Sequence, residues 1–342
     1  MIRWLLRFAA ALAFFLLAAE LIARSFLMSP TAWKPDETFG LRRIPGARIV
    51  QSDEGYGRHR VDADGFVDAP VEGSSRVLLL GDSFSLALHV SYGQRFSERA
   101  EQLLGDVEIR NAAFAGWSPP HYALLLQGLD PNEYDTVVVQ IADNDLFEMN
   151  SPGRIRFEEF EPGTWALHAD PFPTTKGPLQ TVVNALSRLS GLAEFVRVRS
   201  QMLFWTEHRR LSAKLSRSES DPPPPAEAKQ LPPDVAERLR FFHSLLEPWH
   251  GRLLYLYLPR LNYQTRPPHH EWPVCRDVIL EFAAETGAVV VDPTAKMLAD
   301  FEVGQDPLSG FHNSKPGSGH LNARGHGVVA EALAERIGEL LK

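Results

Sequence analysis

Ser83 stands in Gly81-Asp82-Ser83-Phe84-Ser85, directly after the apolar run Val77-Leu78-Leu79-Leu80. Glycine, aspartate and serine are ordinary turn formers, so a turn alone accounts for the stretch. A nucleophile accounts for it equally, and that reading demands more of the chain. A serine hydroxyl attacks only when a base, usually histidine, takes its proton. The oxyanion that follows needs donors already in place. His320, just ahead of the last helical pattern, can supply the base. Asn144, in Ala142-Asp143-Asn144-Asp145, offers a carboxamide donor. Gly116 can bring a backbone N–H close with no side chain in the way. Ser83 opens the helix after its loop, which leaves its own N–H free at the positive helix end.

These residues need a scaffold that brings them to one place. Residues 76–81 form a continuous apolar run, the pattern of a strand buried on both faces. Similar runs recur at 107–113, 135–142, 252–259 and 288–293. Between and after them, apolar spacing predicts helices over 91–104, 119–129, 234–248, about 271–286 and 323–341. Pro119 and Pro120 sit where a helix start tolerates them, and Asn322 is placed to cap the last helix. Strands separated by helices imply a parallel sheet with helices on both faces. The expected class is α/β, a three-layer α/β/α domain with five parallel strands. In such sheets functional groups collect at the carboxyl ends of the strands, where the Ser83, Gly116 and Asn144 loops fall.

Four blocks in order now resemble a known family. Gly81-Asp82-Ser83-Phe84-Ser85, residues 111–118 (NAAFAGWS), residues 142–146 (ADNDL) and residues 319–326 (GHLNARGH) are similar to the blocks of the SGNH subgroup of the GDSL esterase/lipase superfamily. Residues 62–70 (DADGFVDAP) resemble the lead-in of its membrane-anchored bacterial members. The resemblance covers 62–150 and, more loosely, 234–341. It implies a flavodoxin-like fold, Ser83 and His320 as catalytic residues, and an oxyanion hole of Ser83, Gly116 and Asn144. It also implies ester hydrolysis through an acyl-enzyme, with no cofactor. Acetyl or other short acyl esters, on cell-envelope glycans, are the expected substrates. The alternatives are an O-acyltransferase acting on extracytoplasmic polysaccharide, or an idle SGNH domain serving as a glycan-binding scaffold. Position 85 is serine, so the G-x-S-x-G elbow of α/β-hydrolases is absent.

One position departs from the family pattern. An acid usually stands three residues before the histidine; here that residue is Gly317. Orientation of His320 then falls to a backbone carbonyl, to Asp306, or to another acid brought near. Asp143, beside an oxyanion donor, would disfavour developing negative charge if it pointed inward, so it is expected to point away.

The chain of 342 residues divides into three parts by pattern. Residues 1–28 carry Arg3 and Arg7, then the apolar stretch Phe8 to Ala19 and Glu20, and continuing to Met28 they reach the length of a bilayer span of about 20 residues. Arginines at the front place the N-terminus in the cytoplasm and the body outside, giving a single-pass inner-membrane protein with a periplasmic catalytic domain. A cleaved signal peptide is the rival reading. Residues 29–75 read as linker and N-terminal cap, and 76–342 as the hydrolase domain, interrupted by an insertion at about 150–232. Within that insertion a helix is expected near 178–215, and the proline-rich stretch 216–233 forbids helix and sheet. Trp117, Phe147, Trp165 and Trp205 either line a cleft or, as favoured here, pack the insertion onto the core. A net charge of −8 gives no reason to expect nucleic acid. Single Cys275 excludes an internal disulfide framework and reads as a small buried residue. His312, His320 and His326 lack metal-ligand spacing, so no metal is expected.

Overall fold

Five apolar segments pair as predicted: β1 (Ser75–Leu80), β2 (Val107–Asn111), β3 (Thr136–Ala142), β4 (Leu253–Leu258) and β5 (Val289–Val291). The computed structural model describes all residues except 70–72, 150–152, 172–177, 202–203, 205–229, 250–251 and 342. All four pairings are parallel, in the order β5-β4-β3-β1-β2. That is the flavodoxin-like order, and its topological switch point lies between β1 and β3.

Because side chains alternate along a strand, each strand feeds two cores. Leu78, Leu80, Val137 and Val139 point to the face covered by α3 (Pro119–Leu126), α5 (Val235–Leu245) and α6 (Pro273–Thr286). Val77, Leu79 and Val138 point to the opposite face, covered by α2 (Phe96–Leu104), α7 (Thr294–Gly304) and α8 (Ala323–Leu340). Asn322 caps α8 by accepting from the amides of Arg324 and Gly325, as its position suggested. Helix α7 was not anticipated from the sequence.

The N-terminal residues are more ordered than a linker. Two antiparallel hairpins, Trp33–Asp36 with Gly40–Arg43 and Arg48–Gln51 with Gly57–Arg60, pack against the domain. Fully buried Arg95 bonds the Val67 and Leu86 carbonyls and the Glu98 carboxylate, joining this layer to α2. Ahead of them, α1 (Ile2–Ile22), with no buried residue, continues to Leu27 as one apolar helical stretch of 26 residues, long enough to cross a membrane.

The insertion differs from expectation in two respects. Ile155–Glu161 and Thr164–Ala169 form an antiparallel hairpin where no strand was predicted. The expected long helix breaks at Ser190 into α4 (Pro178–Leu189) and a second helix starting at Gly191. Trp165 packs under the Arg238 guanidinium, Phe147 meets Trp272 edge-on, and Trp117 stacks between Phe39 and Phe114. Trp205 and most of 216–233 lie outside the described residues.

Candidate active site

The turn after β1 enters a short helix, Ser83–Leu86, and the turn after β3 enters another, Asp143–Glu148. Both lie at the switch point, so their first residues share one crevice. Asp82 is the cap of the first: its side chain accepts the Phe84 amide at 2.9 Å and the Asn144 carboxamide at 3.1 Å. A carboxamide has two N–H groups, so the bond to Asp82 still leaves Asn144, which lines the cavity, a second donor. Gln140, buried below, accepts the Asp82 amide and the Ser85 hydroxyl and locks the turn from beneath. Burial raises the Asp82 carboxyl above its ordinary pKa, against the bonds from Phe84 and Asn144.

The loop before α8 delivers His320. Its Nε2 lies 2.9 Å from Ser83 Oγ, and its Nδ1 lies 2.6 Å from Glu54 Oε2. The second Glu54 oxygen accepts the His320 backbone amide at 3.0 Å. Burial alone would raise the Glu54 carboxyl, but the hydrogen bond and charge of His320 outweigh it and hold the pKa below its ordinary value. This arrangement corrects the sequence expectation for Asp306. That residue is 81% exposed and faces Arg324 at 3.5 Å, so it is in no position to orient the imidazole.

Glu54 reaches the site because its loop is clamped. Asn313 accepts the Gly55 amide at 2.7 Å and donates to the Gly55 and Ser52 carbonyls. Gly319 completes the fit: its φ is +84°, and a Cβ there would lie 2.2 Å from Glu54 Oε1. The only sequence trace of this contact was a glycine directly ahead of the histidine.

Asp143 lines the same cavity as Ser83, with its carboxylate held by other partners. Its carboxylate accepts from the Tyr257 hydroxyl and from the Arg260 amide at 2.8 Å, and lies 3.0 Å from His270 Nε2. Sequence reasoning missed this cluster, and it missed His89. The His89 ring stacks on His320 with centroids 4.3 Å apart and is itself buried.

Ser83, Asn144 and His320 line one cavity of about 250 Å³, together with Trp272 and Arg260. Gly116 is not among the residues lining it. It occupies an exposed turn with φ +81°, and a Cβ there would meet nothing within 4 Å. The positive φ at 116 is a backbone conformation that favours glycine.

A hydroxyl, an imidazole and a carboxylate in hydrogen-bonded series is the arrangement that activates a serine. No family profile matches the chain, and neither does any curated protein. Solved structures do align with it. An acetylxylan esterase, Axe2, from Geobacillus stearothermophilus aligns at 13% identity over 78% of this chain and 96% of that one, with a TM-score of 0.42. A lipolytic G-D-S-L family protein from Veillonella parvula gives 12%, 76%, 96% and 0.38. A putative lipolytic G-D-S-L protein from Desulfitobacterium hafniense gives 9%, 77%, 99% and 0.39. Identities this low attach no activity to the chain.

Proposed function

We propose that the chain is a membrane-anchored serine esterase with Ser83 as nucleophile, His320 as general base and Glu54 as the orienting acid. One observation carries the reading: the unbroken series from Ser83 Oγ through His320 to Glu54, at 2.9 and 2.6 Å. In the first half-reaction Ser83 Oγ attacks the acyl carbon and its proton passes to His320 Nε2. The carbonyl oxygen, now negative, is met by the Ser83 amide and the free N–H of Asn144; Gly116 is the third donor that family resemblance offers. His320 returns the proton to the departing alcohol as the C–O bond breaks. Water then attacks the acyl-enzyme by the same route.

The cavity of about 250 Å³ beside Ser83 supports a short acyl group, acetyl among them, since it falls below the range of pockets that enclose larger ligands. The apolar helix Ile2–Leu27 supports a single span, with Arg3 and Arg7 inside the cell and the domain beside envelope glycans. The idle-scaffold alternative drew on the acid missing at Gly317. With Glu54 against His320, that ground is gone. The test is p-nitrophenyl acetate turnover by the full chain in detergent. Ser83→Ala is expected to reduce it to background; equal rates for the two proteins would overturn the proposal.

A further inference from the structure

A second cavity, larger than the Ser83 crevice, lies elsewhere among the described residues. It holds about 970 Å³ and lies where the apolar helix ends, between Leu21 and Arg24 on one side and the hairpin Arg48–Gln51/Gly57–Arg60 on the other. The hairpin is strapped to that helix end. Ser52 Oγ donates to the Leu27 carbonyl at 2.6 Å, Arg58 donates to the Ser25 carbonyl, and Val50 and Ser29 exchange bonds at 3.2 and 3.3 Å. At ~1.5 Å per residue the helix rises roughly 39 Å, more than a hydrocarbon core of about 30 Å. Its last turns, and the cavity beside them, therefore sit at headgroup level.

Four arginines line this cavity: Arg24, Arg48, Arg58 and Arg60. Arg24 is engaged by Glu20, and Arg58 by the Tyr56 hydroxyl and the Ser25 carbonyl. Arg48 and Arg60 differ. They are directly opposite each other in the hairpin register, both are exposed, and neither meets a carboxylate among the described residues. Like charges directly opposite on adjacent strands destabilise the pair. Asp68 lies at the cavity wall, but its charge is shared by Arg95 and Arg110, at 3.8 and 3.6 Å. No described residue of the chain relieves this repulsion, and a bound ligand would. It must be anionic, able to bridge two guanidinium groups, and present at the membrane surface.

We infer that Arg48 and Arg60 bind the phosphate of an anionic phospholipid whose acyl chains follow the apolar helix. A phosphate presents several oxygens to two planar donors at once, a geometry suited to arginine. The inference rests on Ile2–Leu27 being a membrane span, though not on the esterase chemistry.

The test uses the full chain purified in neutral detergent and compares it with the double variant R48Q/R60Q. Native mass spectrometry reads retention of short-chain phosphatidylglycerol against phosphatidylcholine. The wild type is expected to favour phosphatidylglycerol, and the double variant to bind it at least tenfold more weakly. Without lipid the variant should unfold at the same or a higher temperature, since a repulsion has been removed; a structural role for the two arginines would lower it. Equal retention of both lipids by the wild type, or unchanged phosphatidylglycerol binding by the variant, would overturn the site. Inorganic phosphate competing as strongly as phosphatidylglycerol would reduce it to a free-anion site and overturn the lipid assignment. The span is read separately, by alkaline extraction of membranes. A chain released into the soluble fraction loses the span and this site with it. A chain that stays in the membrane but shows no lipid preference loses the site alone.

Discussion

Glu54 holds His320 by two handles, one oxygen on the ring Nδ1 at 2.6 Å and the other on the residue's own backbone amide at 3.0 Å. A single carboxylate so fixes both the tautomer of the imidazole and the place of the loop that carries it. The acid comes from 266 residues upstream, out of the N-terminal layer instead of the loop ahead of the histidine.

That origin separates the two candidate acids by experiment. Glu54→Gln keeps the shape but loses the negative charge facing Nδ1, and the imidazolium formed during attack loses its stabilisation. The expected result is a fall in kcat on the order of 10²- to 10⁴-fold with KM little changed. Asp306→Asn, at an exposed carboxylate on Arg324, should leave both parameters at wild-type values. Steady-state kinetics with p-nitrophenyl acetate decide it. The reverse ranking would return the acid to position 306.

Asn144 is predicted to act on the transition state. Asn144→Ala removes the donor that Asp82 holds in the cavity, and kcat should fall by roughly 10²- to 10³-fold. A matching rise in KM at constant kcat would mean that Asn144 only binds substrate.

His89 gives a pH prediction. Burial, then the charges of His320 and His326, keep its pKa well below the ordinary value. The unfolded chain therefore binds a proton below pH ~6.5 that the folded chain does not. The stability owed to neutral His89 is complete above that pH and lost as pH falls, at about 1.4 kcal/mol per unit. His89→Phe keeps an aromatic ring against His320 and cannot titrate. Urea unfolding of both proteins between roughly pH 7 and 5 should show the wild type losing ground to the variant at that rate. A difference that stays constant with pH would contradict the assignment.

Ser83, Asn144 and His320 were legible because each sits in a local pattern, a strand end or the run before a capped helix, and topology then brings those ends together. The five strands were legible for the same reason, through uninterrupted apolar runs. Glu54 was not, because a contact across most of the chain leaves no period in the sequence. Only Gly319, whose missing side chain makes room for the carboxylate, recorded it. The positive φ of Gly116 was not legible, since a left-handed turn and a close approach to a ligand call for the same residue. The hairpins of the N-terminal layer and of the insertion were missed because their strands are short and few of their buried positions are apolar: Gly57 and His59 fill the buried face of one, and the insertion's first strand is exposed beyond Phe157.

The central claim is that Ser83 is made nucleophilic by His320, and fluorophosphonate labelling tests it without needing the natural substrate. The probe is attacked only by an activated serine, and mass spectrometry locates the adduct. The account predicts one adduct, on Ser83, lost in His320→Ala. An adduct on another serine, or labelling of Ser83 that persists without His320, would contradict it.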